Sequence, residues 1–87
     1  MICFRADGNA HIGSGHIMRC LSLAAALRTL GEDCLFAMAD DTMAATVRSR
    51  GFEVRILGTY WRDMNAELPV FLPLAAQAKL VVVDSYA

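Results

Sequence analysis

Three cysteines in 87 residues come without a C-x-x-C pair, which removes the simplest sequence signal for structural zinc or dithiol redox chemistry. Cys3, Cys20 and Cys34 are widely spaced among apolar neighbours and read as reduced core thiols. Charge of one sign is also missing. Eight basic against nine acidic side chains leave a net charge of −1, which offers no footprint to nucleic acid or to an anionic membrane and favours a small-molecule partner. No stretch approaches the roughly 18 to 20 apolar residues of a membrane span, because Arg19 and Arg28 break the richest region. A secretory leader is not expected either, since Arg5 and Asp7 interrupt the apolar start at once, so a cytoplasmic location is expected.

What the chain has in quantity is apolar surface. A hydrophobic share of 56% is high for a length that buries only roughly 60% of its unfolded surface, so the chain is expected to be part of a larger unit. The densest chemistry lies in Arg5-Ala-Asp-Gly-Asn-Ala-His-Ile-Gly-Ser-Gly-His-Ile-Met-Arg-Cys20, which holds both histidines. Met1 to Ala6 ahead of it reads as a short buried strand. From His16 to Leu30 the apolar residues follow a helical period, with Gly31 as the stop. The glycines therefore form a strand-to-helix turn, where helix N–H groups without an intrahelical partner point outward at the positive end of the dipole.

Only Arg19, Ser22, Arg28 and Thr29 interrupt the apolar surface of that helix, so most of its circumference is expected to be covered, by a sheet and by another helix. Asp33 to Ala39 reads as a second strand. Asp40 or Asp41 can cap a helix through Thr42 to Ser49 that Gly51 ends. Phe52 to Leu57 alternates, with Glu53 and Arg55 on one face, and reads as a strand near the sheet edge. Gly58 to Pro69 has no period, and Pro69 and Pro73 leave room for a short helix only at Pro73 to Ala78. Leu80-Val-Val-Val-Asp84 is β-branched and reads as a fully buried parallel strand. Four strands with helical crossovers predict a Rossmann-like doubly wound α/β sheet of order 3-2-1-4, with its ligand site at the switch point where Arg5 to Gly15 meet Asp84 to Tyr86.

Three familiar ligand patterns fit the turn incompletely. Gly8-x-x-x-x-Gly13 has P-loop spacing, but Ser14 and Gly15 stand where a lysine and a hydroxyl must hold phosphate and magnesium. Gly13-Ser-Gly15 opens like a dinucleotide fingerprint, yet Met18 replaces its third glycine. His11, His16 and Cys20 are the conceivable metal ligands, and His16 and Cys20 share a helix face at i, i+4, but spacing this common does not indicate a metal. No cofactor or metal is expected.

Arg5-Ala-Asp-Gly-Asn-Ala-x-Ile-Gly-Ser-Gly-His-Ile-Met-Arg-Cys-Leu-x-Leu-Ala resembles the N-terminal signature of the UDP-2,4-diacetamido-2,4,6-trideoxy-β-L-altropyranose hydrolases of pseudaminic acid biosynthesis, a GT-B family. Gly51-Phe-x-Val54 and Val81-Val-Val-Asp-Ser-Tyr-Ala87 resemble later landmarks of the same domain. Gly58 to Ala78 carries no landmark, and Pro69 and Pro73 depart from the family's uninterrupted helix. The resemblance implies a hydrolase that releases UDP from a 6-deoxy diacetamido sugar between two domains. These residues would form part of the N-terminal domain, with the nucleotide held by a C-terminal domain beyond them. By that resemblance His16 is the catalytic base, while Gly13, Ser14 and Gly15 form the loop approached by sugar and diphosphate. Arg5, Asp7, Asp84 and Tyr86 are the remaining substrate-binding candidates.

Chemistry agrees with the role of His16. Water attacking an anomeric carbon needs a base for its proton, and the positive end of a helix dipole favours the neutral imidazole. The competing expectation is that His16 only caps the helix. Asp7 could orient the imidazole or pair instead with Arg5 or Arg19, and His11 reads as a solvent-facing loop residue. Two other functions fit the residues: a GT-B glycosyltransferase with a UDP-sugar donor, and a noncatalytic binding module. The isolated chain is expected to be inactive and to self-associate through an apolar Leu80 to Asp84 edge.

Overall fold

Phe4 and Phe36 stack with ring centroids 5.0 Å apart, and Phe36 meets Phe52 at 5.5 Å, so three consecutive strand regions share one aromatic row. The structure, a computed structural model, describes residues 1–9, 13–59 and 64–84. The elements are β1 (Ile2–Ala6), α1 (Gly15–Thr29), β2 (Cys34–Met38), α2 (Ala44–Ser49), β3 (Glu53–Ile56), α3 (Met64–Ala75) and β4 (Leu80–Asp84). All strand pairs are parallel and the order is β3-β2-β1-β4, as the alternation of elements predicts. Over the described residues this is an α/β arrangement of four parallel strands with three helices, compatible with a Rossmann-like fold.

The sheet is covered on both faces. Ile2, Phe4 and Ala6 of β1 turn toward Ile17, Cys20, Leu21 and Ala24 of α1, together with Ala44 and Val47 of α2. Cys3, Leu35 and Ala37 turn the other way, toward Phe71, Leu74 and Ala75 of α3. This is the period-two alternation of a strand meeting two helical layers. Among the described residues no helix is long and apolar enough to cross a membrane.

Gly31 stops α1 as expected. At φ +87° it lets its own N–H reach the Arg28 carbonyl and the Glu32 N–H reach that of Leu27, which satisfies the last carbonyls in a Schellman arrangement. Beyond this stop, Arg28 stacks 4.4 Å over the Phe52 ring and donates to the Arg50 carbonyl, tying the helix end to the start of β3.

Four expectations are corrected. Helix α1 is covered on one side rather than around most of its circumference: Ile17, Cys20, Leu21 and Ala24 are buried, whereas Met18 and Leu23 are exposed. Asp40 does not cap α2; its carboxylate takes the Thr42 N–H in a turn ahead of the helix, and Met43 holds the N-cap position. Strand β4 lies at the edge of the described sheet, as the order 3-2-1-4 has it, but it is not fully buried: Leu80 and Val83 are about half exposed, because a β-branched run reports strand propensity and not what covers each side.

The fourth correction is α3, which runs through both prolines. Pro69 and Pro73 lie on its exposed side, where solvent replaces the donors they lack. The opposite side presents Glu67, Phe71, Leu74 and Ala75 to the sheet at i, i+4, i+7 and i+8, and this tertiary anchoring outweighs local propensity.

Candidate functional site

The parallel register sets Ala6 of β1 beside Asp84 of β4, so the last residue of β4 stands next to the start of the glycine turn. The two strands flank the switch point, since the chain leaves β1 toward β2 on one side and returns as β4 on the other. Asn9 and Gly13 close the turn by exchanging two backbone hydrogen bonds, of 3.2 and 2.7 Å. That closure needs Gly13 at φ +71°, a conformation other residues rarely adopt. Gly8 is required for a different reason: a Cβ there would come within 2.7 Å of Met43 Cγ and 3.2 Å of both the Gly13 carbonyl and Ile17 Cγ1. Gly15, by contrast, faces open space.

Ser14 holds the N-cap position of α1 without a side-chain cap bond, and its carbonyl accepts the Met18 N–H. His16 follows in the first turn. Its Nδ1 lies 2.5 Å from Asp84 Oδ1, and both side chains are about four-fifths buried, at 19% and 20% exposure. Arg19 and Cys20, three and four residues further along the same helix face, converge on that carboxylate. Arg19 Nη2 is 3.0 Å from each oxygen, and Cys20 Sγ is 3.7 Å from Oδ2. Burial alone would raise the Asp84 carboxyl, but the hydrogen bonds from His16 and Arg19, together with their charges, outweigh it and hold the group below its ordinary value.

Asp84 is therefore an ionised acceptor at neutral pH, and this decides the imidazole tautomer. Two lone pairs cannot approach to 2.5 Å, so the proton lies on Nδ1 and is donated to Asp84. Arg19 Nη2 is also 2.9 Å from Nδ1, but with that nitrogen already a donor, Arg19 spends its hydrogens on the carboxylate.

Cys20 is not a nucleophile in this setting. Burial first, then the Asp84 charge and hydrogen bond, push its thiol up to about 11 against the opposing pull of Arg19. Alkylation of Cys20 by iodoacetamide near neutral pH is expected to run about a hundredfold slower in the folded chain than after unfolding, as followed by mass spectrometry. Equal rates would mean that the thiol is not held under Asp84. Among the described residues no group of three or more His, Cys, Asp and Glu side chains is arranged to hold a metal.

Arg5 and Asp7 stand elsewhere than the substrate-binding expectation puts them. Arg5 is buried at 4% exposure, where its Nε and Nη2 grip Glu67 Oε1 and Oε2 at 2.9 and 2.6 Å and its Nη1 meets Asp7 Oδ2 at 2.9 Å. Burial works against the guanidinium charge, but Glu67 and Asp7 reverse that effect and leave its pKa raised. Asp7 spends its other oxygen on the Ala39 N–H at 2.8 Å. The pair thus fixes the base of the turn to β2 and α3. Asp84, not Asp7, orients the imidazole, and Arg19 pairs with Asp84 rather than with Asp7.

Gly13, Ser14, Gly15, His16 and Asp84 are brought together at one end of the sheet, while Tyr86 and His11 lie outside the described residues. Beside them, Arg19, Cys20, Ser22, Leu23, Val82 and Asp84 line an open groove of about 390 Å³ between α1 and β4. Sequence reasoning set Cys20 on the face of His16 and weighed Arg19 as a partner of Asp7, but it joined neither to Asp84 and assigned Glu67 to no network. The i, i+3 spacing of His16 and Arg19 was the unused signal, and Glu67 is conspicuous as the sole charge between Met64 and Ala78. No family model, curated protein or solved structure matches the chain.

Proposed function

We propose that this chain forms the sugar and water side of a nucleotide-sugar hydrolase of GT-B architecture, which releases UDP from a 6-deoxy diacetamido sugar. The observation that carries the reading is the His16–Asp84 pair at the sheet's switch point, its two members drawn from the two stretches that resemble those hydrolases. Asp84 holds the Nδ1–H tautomer, and Nε2 accepts the proton of a water attacking the anomeric carbon. The new carbon–oxygen bond forms as the bond to the diphosphate breaks, and UDP departs with its charge spread over its phosphates. Gly13 and Gly15 let the sugar diphosphate approach the backbone, and the α1 N-terminus favours its negative charge. In this reading a second domain supplies the contacts to uracil and ribose.

The first test uses the chain by itself. Titrating it with UDP while following backbone amides by NMR is expected to move Gly13, Ser14, Gly15 and His16, with an affinity weaker than about 10 μM, roughly −7 kcal/mol. Tighter binding would exceed what one loop and a helix terminus supply and would count against the division of labour. Shifts confined to another face would overturn the site. In a two-domain enzyme carrying these residues, UDP release in water alone supports hydrolysis, whereas release only when an acceptor alcohol is added would make the enzyme a glycosyltransferase.

A further inference from the structure

The described sheet has two edges, and their side chains differ. On β3, Glu53 and Arg55 are exposed, charges of the kind that keep one sheet edge from adding to another. Strand β4 carries no such guard. Its Leu-Val-Val-Val-Asp run has no lysine or proline and pairs with β1 without a bulge, in unbroken register from Ile2↔Leu80 to Ala6↔Asp84. Its one charge, Asp84, is answered within the chain by His16 and Arg19, while Leu80 and Val83 stay about half exposed. We infer that this edge is a homodimer interface, in which two copies join their β4 strands antiparallel across a two-fold axis at Val82 and double the four-strand sheet. The inference does not depend on the reaction proposed for the site.

The pairing follows from the backbone. The Ile2 N–H bonds the Asp33 carbonyl, so Ile2 faces β2, and by strand alternation Cys3 and Arg5 face β4. In a parallel ladder such a residue bonds the two neighbours of the residue level with it. Cys3 is level with Val81 and Arg5 with Val83, so β1 takes the backbone groups of Leu80, Val82 and Asp84, and those of Val81 and Val83 turn to the open side. An antiparallel pair centred on Val82 sets Val81 of each copy opposite Val83 of the other, where they exchange hydrogen bonds. The edge is thus complementary to itself, as a closed two-fold contact requires. On the α1 face the same pairing packs Val82 against Val82 and sets Leu80 of one copy opposite Asp84 of the other, which closes the groove lined by Leu23, Val82 and Asp84. Each copy therefore supplies a wall to the His16–Asp84 site of its partner. With both β4 edges used and β3 guarded, assembly stops at two.

The experiment is sedimentation of the 87-residue chain across a concentration series, with amide hydrogen exchange read by NMR on the same samples. A monomer–dimer equilibrium is expected, with a dissociation constant on the order of 100 μM or tighter, as suits an interface of small area. The Val81 and Val83 amides are expected to exchange more slowly as dimer accumulates, whereas those of Leu80, Val82 and Asp84 are held by β1 at every concentration. Val83→Pro removes a donor on the open side only, and Val83→Lys keeps every donor but adds a charge to the edge; each is expected to weaken the dimer at least about tenfold. Both should melt within a few degrees of the parent monomer. Leu72→Lys, on the exposed side of α3, is expected to leave the dimer intact. A chain that stays monomeric throughout, larger species that grow with concentration, or a dimer lost in Leu72→Lys but kept in Val83→Lys would overturn the inference. So would slow exchange of Val81 and Val83 in the monomer, since another part of the same chain would then cover the edge.

Discussion

Replacing His16 by asparagine in an enzyme that carries this domain is expected to cut turnover at least about a hundredfold while leaving KM within a few fold. A general base contributes roughly 10² to 10⁴ in rate and acts on the attacking water rather than on ground-state binding, so the loss belongs in kcat. Asparagine is the informative substitution because it can hydrogen-bond to Asp84 and occupy the first turn of α1, which preserves a structural role and removes proton abstraction. Asp84→Asn probes the same step from the other side. It keeps the shape but offers its neighbours an amide in place of a carboxylate, so it is expected to lower kcat through loss of the correct tautomer. Turnover within threefold of the parent for His16→Asn, or an effect confined to melting temperature, would return His16 to a capping role.

Glu67→Ala is expected to destabilise the folded chain by about 3 kcal/mol and to lower the melting temperature by more than about 10 °C, as measured by urea and thermal unfolding. Glu67 is fully buried and takes two bonds from the Arg5 guanidinium. Removing it leaves a cation inside the core with Asp7 as its remaining carboxylate partner. A buried charge that loses one of its two carboxylates costs more than the pair contributes. The double variant Arg5→Met with Glu67→Leu is accordingly expected to recover at least half of the loss. If Glu67→Ala stayed within about 1 kcal/mol of the parent, or the double variant were worse than the single one, the network would not be what anchors α3. Loss of this anchor should also loosen the turn, because Asp7 ties Arg5 to the Ala39 N–H.

These two residues mark the boundary of what a linear reading can reach. His16 was legible because its neighbourhood is local: three glycines within eight residues, a strand before them and a helical period after them define a turn from short-range sterics and hydrogen-bonding needs alone. The Gly31 stop and the strand order follow in the same way, from turn chemistry and from the limited number of ways to connect parallel strands. Glu67 was not legible, and the two prolines following it argued against the helix that carries it. Local propensity disfavours α3, and burial of Glu67 and Phe71 against the sheet outweighs it.

By itself the sequence determined the alternation of elements, the glycine turn and the presence of a histidine in the first turn of α1. It also placed Asp84 at the end of a strand that neighbours β1. Which carboxylate would face the imidazole was decided only by the tertiary structure, because Asp7 is nine residues from His16 in the chain and Asp84 is 68 away. The register that sets Ala6 beside Asp84 brings the distant group into contact, while Asp7 is taken up by Arg5, itself paired with Glu67 62 residues away, and by the Ala39 N–H. Periodicity reports which face of an element is buried, whereas the partner of a buried charge is chosen by strand register and by competition among charges that meet only once the sheet has formed.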